Sequence, residues 1–477
     1  MTRRNIVIIG GGVAGSLLAL QLTRLPGGPW PLDVSIVEPR PRLGPGTAYG
    51  TERPEWLLNV RSGGLSALPE QPTHFADWLQ RRGLPDCPHG FCSRQTYGRY
   101  LESLLEPLLA APAPNGVRLR WHHTRALAAQ PLPGPGPALR VQLADDTSLN
   151  AHTLVLALGN FPPALPVRPA TDYQLHPRFH ANPWVPGALR GIAPDASVLL
   201  IGTGLTALDV LVALRADGHR GPLLAVSRHG QWPAAHTPAP AAPYPNFYAT
   251  HLAGLHTVGA VLRVVRQQVA RGAAEGYNWR AVLDALRPDL GRIWAGWPPE
   301  EQRRFMRHLA TRWGNLRHRN PPQNAAVLAE LLSSGRLQVH HGRVRQIQPR
   351  GDNQLAVRLT RHYVSTELTA DHVVLCTGPQ LDYAQLDEPL VQQLRQAGLL
   401  RSDALHLGLA TTPEGALLDA AGAASAHLFT LGPSLRPQWY ESTAVPELRQ
   451  QAANLAALLG RQHGASVAQP DALRLVP

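Results

Sequence analysis

The chain has 477 residues, 44% hydrophobic and 16% charged, which is enough apolar material for two or three packed domains. Its formal net charge is +12 and all 45 basic residues are arginines, which excludes Schiff-base, pyridoxal-phosphate and P-loop lysines. Its three cysteines, Cys87, Cys92 and Cys376, form no CxxC, excluding a dithiol centre or cysteine zinc knuckle and arguing against a disulfide framework.

No apolar run approaches the length of a membrane span. The opening residues pass straight into a predicted strand without a signal-like apolar region, so a cytoplasmic protein is expected. Residues 5–9 predict a strand, 10–15 a glycine turn, 16–24 a helix, and 33–37 a strand ending on Glu38. Helices are expected at 74–81 and 97–109, and short strands at 117–121, 139–143 and 148–149. Residues 153–158 read as a buried parallel strand. A second strand–turn–helix–strand unit follows at 197–201, 202–204, 205–216 and 223–226. The Ala/Pro-rich stretch 234–246 predicts a linker, and 250–335 predicts several helices. Strands return at 337–346, 354–360 and 372–376, and a strand near 427–431 precedes a closing helix over 446–459.

The first turn satisfies GxGxxG through Gly10, Gly12 and Gly15, with Ala14 inside it. Its glycines allow the tight turn, the approach of a pyrophosphate and the packing of helix on strand, while the helix start offers free N–H groups. Glu38 follows 23 residues after Gly15, where a carboxylate binds ribose hydroxyls. The second turn, Gly202, Gly204, Leu205, Thr206 and Ala207, is the GxGxxA variant. Its next strand ends in Ser227-Arg228, not an acid, which favours a ribose 2′-phosphate and so NADPH over NADH. Two such turns about 190 residues apart predict FAD in the first and a nicotinamide nucleotide in the second. The comparable strand ends at Gly159 and Gly378 mark where the chain leaves the first domain and returns.

Distinctive segments stand at 44–50 (GPGTAYG), 57–60 (LLNV), 97–101 (YGRYL), 202–206 with Ser227-Arg228, 303–305 (RRF) and 317–319 (RHR). They continue at 431–433 (LGP) and 439–449 (WYESTAVPELR). In these segments the sequence resembles the bacterial YdhS-like FAD/NAD(P)-binding proteins. The arrangement is more distantly similar to the N-hydroxylating class B flavin monooxygenases. The resemblance implies that Tyr49, Leu58, Asn59 and Val60 approach the isoalloxazine ring, with the Asn59 amide beside its reactive edge as the candidate catalytic group. It implies that Gly432 lies on the ribityl–phosphate side. The helix opening near Thr443 and Pro446 then aims its positive end at the ring. A turn-forming Asn59 is the alternative reading.

The adjacent pairs His122-His123 and His340-His341 point to opposite faces of a strand, so no metal site is expected. Trp294, Trp297 and Trp313 read as helix-packing aromatics. Between 261 and 350, sixteen arginines face six acids. That excess fits a solvated face, a surface for an anionic substrate or the NADPH phosphate, or, without a recognisable module, a nucleic-acid surface. Arg317 and His318 are the residues of this region expected to face a substrate.

The expected fold is α/β with two Rossmann-like dinucleotide-binding domains, the second inserted in the first, plus a helical subdomain. Residues 1–160 and 379–477 form the FAD domain and 161–378 the NADPH domain, with the helical insertion at about 235–335. The expected activity is NADPH-dependent flavin oxidoreduction with molecular oxygen, in which a flavin C4a-hydroperoxide oxygenates a small N- or S-containing substrate. A reductase without oxygen insertion and a non-enzymatic flavin-binding regulator are the alternatives.

Overall fold

The computed structural model describes residues 3–28, 30–84, 89–167 and 172–463. Branched apolar residues on both faces of the first two strands demand cover on both sides. They sit in a six-stranded sheet ordered β16 (Ala416–Leu418), β17 (Ala424–Thr430), β7 (Thr153–Leu156), β1 (Arg4–Ile9), β2 (Leu32–Val37) and β3 (Arg118–His122). All neighbours run parallel except β16 and β17. Ile6, Ile8, Val34 and Ile36 face the wholly buried helix Val13–Leu22, on which the helix Val445–His463 packs. Val7, Ile9 and Val37 face the antiparallel meander β4 (Ala126–Pro131), β5 (Leu139–Leu143) and β6 (Ser148–Ala151), joined by Leu390 and Leu394 of the helix Pro389–Gln396. Each buried Val, Leu or Ile contributes about 1.5–3 kcal/mol, so this two-sided cover fixes where the helices lie.

The second sheet repeats the plan. Its order is β11 (Leu337–His341), β10 (Leu223–Ser227), β9 (Val198–Ile201), β15 (His372–Leu375) and β8 (Phe179–His180), all parallel. Val198 and Leu200 pack on Ala207, Leu211 and Leu214 of the helix Leu205–Ala216. Leu199 and Ile201 pack on the other side, against the meander β12 (Arg343–Arg350), β13 (Gln354–Arg361) and β14 (Val364–Ala370). Between β10 and β11 the chain builds helices from Val258–Ala274 to Pro322–Ser333, and a third core joins Trp294, Trp297 and Phe305 to Tyr440. Among the described residues no helix is long and apolar enough to cross a membrane.

The stretch 337–346, read as one strand, is two. Gly342 donates to the Ser227 carbonyl (3.0 Å), ending the pairing with β10, and the chain turns into the second meander. The edge strands β4 and β14 were not visible in the sequence: one is alanine-rich and the other polar and mostly exposed. Cys87 lies outside the described residues, while Cys92 and Cys376 are buried.

The two sheet units are tied together. Arg94 pairs with Asp209 at 3.1 Å, both side chains nearly buried, and the Trp56 indole N–H donates to the Asp209 carbonyl at 2.8 Å. Arg53 adds a bidentate contact to Asp217. Burial pushes the Asp209 carboxyl up to about 6, although Arg94 draws it down.

Candidate functional site: two glycine cradles and the cleft between them

In the first cradle Gly10 has φ +104° and a Cβ there would stand 2.3 Å from the Ala157 carbonyl oxygen. A Cβ on Gly15 would meet the Gly10 carbonyl oxygen at 2.0 Å, so helix and strand close only around glycine. Gly12 caps the helix Val13–Leu22 with no side chain bonded to its first turn, and the Gly46 backbone lies alongside. These N–H groups and the partial positive charge behind them suit a phosphate. Glu38 ends β2 as expected, but it is buried, accepting from the Gly11 N–H (2.8 Å) and the Arg40 N–H (2.9 Å). The Arg40 guanidinium also spans Glu38 and Thr47. Gly432, with φ +88°, lies against Ala14, and its N–H donates to Gln451. Segments more than 400 residues apart, at 10–15 and at Gly432, therefore meet at this loop.

The second cradle reproduces the first. Gly202 has φ +118°, and its Cβ would stand 2.4 Å from the Cys376 carbonyl oxygen, the counterpart of Ala157. Gly204 has open space where a side chain would sit, and it caps the helix Leu205–Ala216 without a side-chain bond. This loop opens on a cavity of about 650 Å³ lined by Gly202, Gly204, Leu205, Thr206, Ser227, Arg228, Gly378 and His318. Thr203 donates to the Ser227 hydroxyl, fixing the end of β10 (2.9 Å). Arg228 is exposed and, among the described residues, has no ion-pair partner. Arg343, at the start of β12, lines the same cavity equally unpaired and was not singled out in the sequence. The break at Gly342 brings it there.

Tyr49 packs on Tyr97 with ring centroids 4.9 Å apart, and the buried Tyr97 hydroxyl has no partner among the described residues. Leu58 is a core side chain, whereas Asn59 and Val60 are partly exposed. The Asn59 side-chain amide makes no hydrogen bond among the described residues, and its backbone carbonyl accepts from His236 Nε2 at 3.0 Å. His236 lies in the predicted linker, held by the Asn320 carbonyl, so it straps the linker to the segment carrying Asn59. The sequence carried no signal for it beyond a histidine in a Pro-rich loop.

Burial lowers the His236 pKa from its ordinary value to about 4, against the Asn59 carbonyl bond. Because the folded pKa is depressed, this contribution to stability is complete above pH 6.5 and is lost as pH falls toward 4. His236→Gln is therefore expected to flatten the fall in Tm between pH 6.5 and 4, measured by thermal unfolding alongside the unaltered protein. An unchanged pH profile contradicts the assignment.

The motif 317–319 and the motif 439–449 meet. His318 Nε2 lies 3.3 Å from Glu441 Oε2, and the Trp313 indole N–H donates to Glu441 Oε1 at 3.0 Å. Arg287 grips Glu447 through two bonds of 2.7 and 2.9 Å, and Arg319 pairs with Asp284. Trp294, Trp297 and Trp313 all pack in or against the helical core as expected, and Trp313 is in addition a hydrogen-bond donor in this cluster. Burial works to raise the Glu441 carboxyl, but His318 and Arg317 hold it below its ordinary value. Thr443 is exposed on the segment entering the helix Val445–His463, with Pro446 in its first turn. His318 therefore links the nucleotide-sized cavity to the segment that returns to the first cradle.

A sequence-family model described as FAD-NAD(P)-binding matches residues 7–161 and 323–380, which contain the first cradle and the strand closing the second. No curated protein sequence matches the chain. Among solved structures it is similar to the ornithine N-hydroxylase of Kutzneria sp. 744, 15% identical with TM-score 0.64, covering 96% of this chain and 99% of that one. It is similar to the cadaverine monooxygenase of desferrioxamine biosynthesis from Erwinia amylovora, 14% identical with TM-score 0.65, covering 100% and 99%. The L-lysine 6-monooxygenase of Pseudomonas syringae gives 18% identity and TM-score 0.63 over 96% and 99%. These likenesses show that the chain shares their fold.

Proposed function

We propose that the chain is an NADPH-dependent FAD monooxygenase that places oxygen on a nitrogen of a small amine, with sulfur nucleophiles as the second class to test. The observation that carries this reading is the pairing of two like-built glycine cradles, the second opening on a cavity whose wall, His318, is bonded to the segment returning to the first. Three solved relatives in fold are named for N-hydroxylation or amine monooxygenation, and one of them was solved with reduced FAD and NADP+, which supports the same chemistry. Two of the segments that carry the resemblance to the YdhS-like proteins, 317–319 and 439–449, meet at Glu441, which supports that narrower kinship.

In this reading residues 1–160 and 379–477 hold FAD, and 161–378 hold NADPH, with the helical insertion of about 235–335 over the cleft. The donor set fits: open helix starts, glycines where a Cβ would fill the approach, a buried carboxylate at Glu38, and the unpartnered Tyr97 hydroxyl. FAD, when bound, supplies a ring that takes a hydride from NADPH and hands electrons to molecular oxygen. The chain positions and shields. Gly10, Gly12, Ala14 and Gly15 admit the pyrophosphate, and Glu38 takes ribose hydroxyls once Arg40 yields. Asn59, with its free amide, and Val60 border the ring, and the positive end of the helix Val445–His463 balances negative charge on it. Ser227 and Arg228 take the 2′-phosphate. The aromatic and charged cover at Trp313, His318 and Glu441 keeps water from the cleft.

Anaerobic NADPH is expected to bleach the yellow FAD-loaded protein. Readmitting air with an accepted amine is then expected to consume oxygen in step with hydroxylated product. Bleaching followed by release of all the oxygen as hydrogen peroxide, across a panel of amines and thiols, would favour a reductase. A protein that stays yellow under NADPH would favour a regulator.

A further inference from the structure

Tyr100, on the helix Arg94–Ala110, is fully buried, and its hydroxyl faces two groups. The Ala67 N–H donates to its oxygen at 3.2 Å, which leaves the phenolic proton to be donated to His74 Nδ1 at 2.8 Å. His74 opens the helix His74–Arg81 and is only partly buried, so a proton it receives has a way to solvent. Burial, Arg81 and Arg24 push the His74 pKa below its ordinary value, against Asp77 and Glu70, so at neutral pH its ring is an unprotonated base. A buried phenol bonded to a neutral imidazole at this distance has the geometry of proton transfer.

The pair stands in a continuous ladder of aromatic rings. Tyr49 meets Tyr97 with centroids 4.9 Å apart, Tyr97 meets Tyr100 at 5.6 Å, and Tyr100 meets Trp78 at 5.6 Å. Tyr49 ends the short helix Gly46–Tyr49, and the Gly46 backbone lies against Gly12, so the ladder starts at the first cradle. Electrons pass readily between rings this close. A phenol that loses an electron becomes strongly acidic, so the vacancy settles where its proton can leave. The buried Tyr97 hydroxyl has no acceptor among the described residues. The Arg82 guanidinium lies 4.7 Å from the Trp78 ring centroid, and its charge opposes a cationic indole there. Tyr100, with a base on its hydroxyl, is the favoured resting place.

We propose that Tyr100 and His74 form a redox-active pair that traps one-electron oxidation arising near the first cradle. The oxidants are of the class of oxygen-derived radicals. One electron leaves the Tyr100 ring for the oxidant, the phenolic O–H bond breaks, and the proton passes to His74 Nδ1. The products are a neutral Tyr100 radical, a His74 imidazolium and the oxidant reduced by one electron. A small reductant of the thiol or ascorbate class returns the electron, and the proton goes back to the phenol. This goes beyond the monooxygenase reading and stands without it.

The test mixes the full chain with the one-electron oxidant hexachloroiridate(IV) and follows radicals by freeze-quench electron paramagnetic resonance. Every sample carries Tyr363→Phe, which removes a fully exposed competing phenol. A long-lived tyrosyl signal is expected, forming more slowly in D2O, and Tyr100→Phe is expected to remove it. His74→Gln keeps an acceptor for the hydroxyl but no base, so it is expected to leave Tm nearly unchanged and cut the radical yield by at least about ten-fold. His74→Ala is expected to lose the signal and to regain it with added imidazole, a rescue that a purely structural histidine would not show. Absence of a long-lived radical overturns the proposal. So does a signal that survives Tyr100→Phe, or a full yield in His74→Gln. None of these readings depends on bound flavin, so a failure here leaves the monooxygenase reading to the NADPH bleaching experiment.

Discussion

Gly15→Val is expected to yield a colourless protein. The new Cβ would stand 2.0 Å from the Gly10 carbonyl oxygen and 3.0 Å from Ile8 Cγ2. The first clash is with backbone, which no side-chain rotation relieves, so the helix Val13–Leu22 must back away from β1. That helix is buried along its whole length and carries the helix Val445–His463, so the shift opens the first core and moves the free N–H groups off the phosphate position. A core rearrangement of this kind costs about 1–3 kcal/mol. The loss of flavin is the larger effect, read as the absorbance ratio of FAD to protein after purification. Gly64→Ala, where a side chain meets nothing within 4 Å, is the matched control and keeps its FAD. A yellow Gly15→Val with full occupancy contradicts the placing of FAD in this cradle.

The second large effect is expected at Arg228 and Arg343. Both line the cavity beside Ser227, and neither has an ion-pair partner among the described residues, so each is free for a phosphate. A hydrogen bond to a charged group contributes about 1.5–3 kcal/mol, or roughly ten- to a hundredfold in affinity. Arg228→Ala is expected to raise the NADPH concentration for half-maximal anaerobic flavin reduction by that factor while leaving NADH little changed. The double substitution Arg228→Ala with Arg343→Ala is expected to erase the preference. An unchanged NADPH/NADH ratio in both variants removes these residues from nucleotide selection.

The parts of this molecule legible in the sequence are those governed by local chemistry. The turns at Gly10 and Gly202 had to be glycine because of carbonyls at Ala157 and Cys376, and the motif reports that constraint without showing the partner. The helix Leu205–Ala216 and the strand β5 were read at their true bounds, since apolar spacing and flanking turns agree there. What the sequence withheld was the pairing of distant segments. Nothing local to Glu441 points to His318 and Trp313, 123 and 128 residues earlier, and nothing near His236 points to Asn59. Arg343 is one of sixteen arginines between 261 and 350, separable from the others only once Gly342 has turned the chain into the cavity. The edge strands β4 and β14 fell short because exposed edges relax the demand for branched apolar residues.

The six-stranded sheet places β17 beside β7, and the helix Val445–His463 on Val13–Leu22, with the whole second sheet between them in the chain. On the ribosome the second sheet therefore has all its strands before the first sheet has received its last. The early segment must wait with the faces of β7 and the first helix uncovered while its guest finishes folding. Since Gly432 and the helix Val445–His463 complete the first cradle, that cradle closes only after the whole second sheet has been made.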